Sequence, residues 1–184
     1  MSTNANTPAN TPKRKKSDRA QSHQAKSLAS DTTTMISHSE LTATAECACF
    51  NVRKTARAVT QHFSKFLVET GLKETQFSIL SVLAQTGPLP MGKLAEILVM
   101  DRTTLTRNLA PLKTKKYLET APGKDGRTRL VQITNSGSHM LATALPQWRK
   151  AQDSLMGLFG AKDWNALRKN LDLLQSIARG EHAP

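Results

Sequence analysis

The chain has 184 residues, enough for one domain of ordinary size with a tail and a buried core. Lys and Arg outnumber Asp and Glu by 26 to 14, and the resulting net charge of +12 favours a polyanionic partner, nucleic acid first. The sequence has no apolar run of about 18 residues, no amphipathic helix with bulky apolar residues opposite its lysines and no apolar leader, so no membrane partner is expected and the expected setting is cytoplasmic. Cys47 and Cys49 are too few for a disulfide framework and lack partners at zinc-ligand spacing, so neither a metal nor a cofactor is expected.

Residues 1–40 are rich in Ser, Thr, Asn, Ala, Gln and Lys and poor in large apolar side chains, the composition of a disordered tail. Its run "KRKK", Lys13 to Lys16, reads as a solvated basic segment, with a nuclear signal or a nonspecific DNA arm the alternatives. A first long helix occupies the segment 41–70. Val52, Ala56, Val59, Phe63 and Phe66 recur there at helical spacing, which predicts a helix from Thr44 to Glu69, stopped by Gly71. Next come a helix over 74–85 carrying Phe77, Leu80 and Leu83 on one face, a short helix over 90–98, and a helix capped by Asp101 that runs to Lys116. Two extended runs, "YLETAP" and "RLVQIT", flank the turn-forming "GKDGRT" and predict a β-hairpin with Leu130 and Ile133 almost in strand register. From Ser136 a long helical pattern passes through Pro146, where a bend is expected. Asp163 is the expected cap of a last helix whose stripe is Trp164, Leu167, Leu171, Leu174 and Ile177. The fold class is therefore mainly α, with residues 71–136 forming three helices and a hairpin between a first long helix and the terminal helices of 137–180.

"PMGKLAEIL", "VM" and "DRTTLTRNLAPLKTKK" have the proportions of a helix-turn-helix, whose second helix enters the major groove of double-stranded DNA. That second helix suits the task. Arg102, Thr103, Thr104, Thr106 and Arg107 offer hydroxyls and guanidiniums to base edges and phosphates, while Leu105, Leu109 and Leu112 turn inward. From Arg102 to Arg129 eight basic residues, Lys113 among them, face only two acidic ones, Glu119 and Asp125. A hairpin directly after a helix-turn-helix makes a winged helix. Its tip can lie along the minor groove, with Arg127 in the narrow negative channel and Arg129 on the flank.

At these residues the chain resembles the MarR family of winged helix-turn-helix transcriptional regulators, over about residues 46–179. "DGRTRLVQIT" is similar to the family's Asp-x-Arg wing, and "LAEILVMDRTTLTRNLAPL" to its helix-turn-helix. The resemblance implies that Asp125 orients a wing arginine while Arg127 contacts DNA. It also implies that 41–70 and 137–180 are dimerisation elements of a homodimer on a pseudo-palindromic operator, a repressor released by a small aromatic or phenolic ligand. Val99 and Lys116 stand where the family commonly has glycine, which implies strained or reshaped turns. Pro111 lies inside the recognition helix and removes one backbone donor.

"CACFNVRKTARAVT" resembles the first helix of the family's hydroperoxide-sensing branch, in which the position of Cys49 is the reactive thiol. That branch surrounds its thiol with tyrosines, whereas Tyr117 is the one tyrosine of this chain. Cysteines two apart on one helix point to different sides, so inert thiols are expected, with redox sensing through Cys49 the alternative. His62, Phe66 and Trp148 are candidates to line an effector pocket. An enzyme is not expected: there is no phosphate-cradling glycine loop, no metal spacing, and no Ser, His and Asp set in motif context. A winged helix that binds protein instead of DNA is a further alternative, separable by a salt-dependent DNA shift.

Overall fold

A computed structural model describes residues 36–123 and 126–181, so most of the expected tail, Lys124 and Asp125 lie outside the described residues. The chain divides into two compact units, 1–50 and 51–184. In the first, helix α1 (His38–Ala43) starts within the segment read as tail. It is closed by a reciprocal cap: Ser37 Oγ accepts from the Glu40 amide at 3.2 Å and Glu40 Oε2 accepts from the Ser37 amide at 2.9 Å. A 3₁₀ turn (Thr44–Glu46) follows, and α2 (Ala48–Leu67) starts only after Cys47. The single helix expected from Thr44 to Glu69 is thus a 3₁₀ turn, the helix α2 and a second 3₁₀ turn (Val68–Thr70), with α1 a separate helix before it.

In the second unit, Gly71 takes φ +68° and turns the chain out of α2, as anticipated. Helices α3 (Glu74–Thr86), α4 (Met91–Ile97) and α5 (Arg102–Thr114) follow. Their inward positions form one apolar core in which Ile79, Leu80, Leu83, Leu94, Leu105 and Leu112 are all fully buried. Hairpin strands β2 (Leu118–Pro122) and β3 (Arg129–Ile133) pair antiparallel, Thr120 opposite Val131. Val131 is the buried residue of β3, so the register differs by one from that expected of Leu130: strand side chains alternate, and Ile133 shares its face with Val131. A third strand, β1 (Leu89–Pro90), pairs with Leu130–Val131, giving the order β1-β3-β2. Two residues carry no readable period, and Pro90, expected to open a helix, instead closes this strand and caps α4.

Helix α6 (Asn135–Phe159) runs unbroken through Pro146, although proline cannot donate to the carbonyl four residues earlier. Helix α7 (Ala161–Ala178) starts at Gly160, φ +90°, so Asp163 sits in the first turn rather than at the cap. No helix of the described residues is long and apolar enough to cross a membrane.

Candidate nucleic-acid interface

Helix α5 begins where Asp101, in extended backbone, accepts from the Thr104 amide at 2.8 Å and from the Thr104 hydroxyl at Oδ2. These two hydrogen bonds, the hydroxyl's first, hold the Asp101 carboxyl below its ordinary value of 3.8. Leu105, Leu109 and Leu112 pack inward, which leaves Arg102, Thr103, Thr104, Thr106, Arg107 and Lys113 exposed along the outer face. Two of the three hydroxyls do not reach outward as donors. Thr104 gives its proton to Asp101 and Thr106 gives its own to the Arg102 carbonyl at 2.7 Å, so each presents a methyl and oxygen lone pairs. Pro111 lies within the helix, and the Arg107 carbonyl loses the donor that position would have supplied.

Asn108 escapes a sequence reading because it looks like one more polar helix residue. Its side chain donates to the Thr104 carbonyl at 2.9 Å and accepts from the Thr75 hydroxyl at 3.1 Å, pinning the outer half of α5 to the first turn of α3. The C-terminal end is pinned as well. Lys116 takes φ 58°, the Tyr117 amide bonds back to the Leu112 carbonyl at 2.9 Å, and Thr134 Oγ donates to the Lys116 carbonyl at 2.7 Å. The same Thr134 oxygen caps α6 by accepting from the Gly137 amide at 3.0 Å, so one hydroxyl joins recognition helix, wing and long helix. Lys115 is diverted from the outer face: its Nζ bonds the Gly71 carbonyl at 3.2 Å and lies 6.0 Å from the centre of the Tyr117 ring.

The wing closes through Gly126, φ +66°, whose amide bonds to the Gly123 carbonyl at 2.9 Å, and through the Gly123 amide to the Thr128 carbonyl at 2.7 Å. Arg127 is exposed at this tip and Arg129 is exposed at the first position of β3. Asp125, the expected orienter of the wing arginine, lies outside the described residues. Glu119, on β2, accepts from Gln132 Nε2 at 2.7 Å across the strands.

The sequence profile of the MarR family matches residues 70–128, from the end of the first long helix through the wing tip. The transcriptional regulator MosR of M. tuberculosis, solved in complex with DNA, superposes with a TM-score of 0.66 at 31% identity, over 74% of this chain and 99% of that one. The chain belongs to the MarR family. The transcriptional repressor NicR of Pseudomonas putida is 27% identical over 126 residues, 66% of this chain and 80% of its own. MarR of E. coli shares the fold at 19% identity, with a TM-score of 0.58 over 69% of this chain and 96% of that one. These relatives are transcriptional regulators, not enzymes.

In this MarR-family regulator the three residues nominated for a ligand part company. His62 Nε2 lies 3.0 Å from both the Ala151 carbonyl oxygen and Ser154 Oγ, tying α2 to α6. Phe66 packs against it, the rings 5.3 Å apart. Trp148 stacks on Phe77 at 5.8 Å and 12°, and both border a cleft of about 220 Å³ between α2, α3 and α6. Phe63 borders that cleft, whereas His62 and Phe66 do not. The cysteines depart from the expected geometry too. Cys47 has φ −56° and ψ 119° and precedes α2, while Cys49 is in its first turn, so they do not share a helix; both are exposed.

Proposed function

We propose that this MarR-family protein is a homodimeric repressor that binds a pseudo-palindromic operator and releases it when a small aromatic ligand fills the cleft beside Trp148. The observation that carries the DNA half is the pairing of two basic elements, the outer face of α5 with Arg102, Arg107 and Lys113, and the wing with Arg127 and Arg129, all exposed. MosR, of the same fold, was solved with DNA, and NicR is a repressor. The homodimer is supported by apolar side chains left in solvent: Leu158 is 93% exposed, Leu173 48% and Ile177 53%. Selection of bound sequences from a random duplex pool tests the reading. The expected product is an inverted repeat with half-site centres about 34 Å apart, one helical turn. Recovery of a single asymmetric half-site defeats it.

The position of Cys47 before the helix favours a second reading, in which the two exposed thiols make the regulator redox-responsive. Because Cys47 lies outside the helix that holds Cys49, the geometric bar to contact between two cysteines on one helix does not apply. A peroxide-induced loss of DNA affinity that vanishes in Cys49→Ser supports it. An unchanged affinity in the parent protein returns both thiols to an inert role.

A further inference from the structure

The ligand class can be narrowed, on the reading that the Trp148 cleft is the effector site. We infer that the cleft takes a small cationic aromatic ligand rather than an aromatic acid. Its apolar walls are the rings of Phe63, Phe77 and Trp148, and its charged group is the Glu74 carboxylate on the first turn of α3. No Lys, Arg or His lies among the lining residues. Aromatic faces attract a cation through their quadrupole, and a carboxylate makes charge-assisted hydrogen bonds to an ammonium. Glu74 is held in place by the Ser64 hydroxyl, which donates to Oε2 at 3.0 Å; a carboxylate has further lone pairs for a ligand donor.

An aromatic carboxylate meets the opposite balance. It loses water on entering a ring-lined cleft and gains a like charge in place of a partner. The N-terminus of α3 is electropositive, but its field amounts to about half a charge against the full charge of Glu74, so the cleft's own lining carries a net negative charge. At about 220 Å³ the cleft is smaller than the ~300–1,000 Å³ of drug-sized sites, which restricts the ligand to roughly a single ring with a short substituent.

The test uses the full chain carrying Trp164→Phe, so that Trp148 is the one reporting tryptophan, with melting checked for every variant. Benzylamine, benzyl alcohol and benzoate present one ring with a positive, neutral or negative substituent. Benzylamine should quench Trp148 fluorescence with at least tenfold higher affinity than benzoate and should weaken operator binding. Glu74→Gln should cut benzylamine affinity about tenfold while leaving benzyl alcohol within about twofold, and Glu74→Lys should reverse the preference toward benzoate. Benzoate binding the parent as tightly as benzylamine overturns the charge class and leaves the effector site standing. Failure of all three to bind at millimolar concentration overturns the effector site, and this inference with it. Full benzylamine affinity in Glu74→Gln overturns the role of the carboxylate.

Discussion

Val99 and Lys116 stand at the two ends of the recognition helix with φ of 50° and 58°, in the left-handed region that glycine enters freely. The turns therefore keep the shape that glycine would give them, and the strain resides in the side chains. A left-handed residue with a Cβ costs about 1–2 kcal/mol, and β-branched Val99 is the severer of the two. Replacing it with glycine removes that strain but adds about 0.5–1 kcal/mol of unfolded-state entropy. Because Val99 is 56% exposed and little packing is lost, Val99→Gly should stabilise the fold by about 0.5 kcal/mol, seen as a higher urea midpoint at unchanged slope. Gly137 works the other way. A Cβ built there would lie 2.1 Å from the Tyr117 carbonyl oxygen and 2.8 Å from Ile133 Cγ1, and the first of these is backbone that cannot rotate aside. Gly137→Ala should therefore destabilise by about 3 kcal/mol, in spite of alanine's better helix propensity, by forcing α6 off the wing junction. The same urea titration reads it.

On the proposed reading, α5 and the wing divide the work of recognition, and substitutions should separate them. Arg127→Ala should weaken DNA binding roughly ten- to hundredfold, about 1–3 kcal/mol, nearly uniformly across operator variants, and lower the salt slope by about one unit. Arg107→Ala should instead change which bases are preferred, as read by a competition binding panel. With its hydroxyl proton committed to Asp101, Thr104 has its methyl as the reader, so Thr104→Val should keep base preference while loosening the cap. Because hydrogen bonding depresses the Asp101 pKa, the cap's contribution is complete above the ordinary value of 3.8 and is lost only as pH falls through the lower folded value. Operator binding at pH 5 should thus match pH 7 as far as this group is concerned, while Asp101→Ala should lower Tm by about 2–5 °C at both. The inward leucines of α5, the Asp101 cap and the hairpin are legible in the sequence because period and cap chemistry are local. Strand β1 is not, since two residues join the sheet only through partners about 40 residues away, nor is the Asn108–Thr75 contact, which depends on how two helices cross. The true cap of α7 was hidden by a carboxylate three residues inside the helix that mimics a cap. Glu74 was hidden in turn, because an acid in a first helical turn already has a reason to be there.

At the scale of the molecule, the exposed apolar stripe of α7 and the end of α6 sets the expectation for assembly. Leu171→Glu together with Ile177→Glu, at positions 39% and 53% exposed, should convert a micromolar dimer into a monomer by sedimentation velocity and abolish binding to a two-half-site duplex. A dimer that survives both changes would place the interface elsewhere. The three-stranded sheet carries one more implication, for the behaviour of the chain at high concentration. Both of its edge strands end in proline, Pro90 in β1 and Pro122 in β2, and each proline takes away an amide that a foreign strand would need for hydrogen bonding. On the proposed reading the hairpin follows a DNA groove, and exposed strand edges are the part of a molecule most open to sticking to its neighbours. By ending its edges this way the wing can stay long and extended without seeding fibres, so the reach needed for DNA is compatible with a chain that remains dispersed.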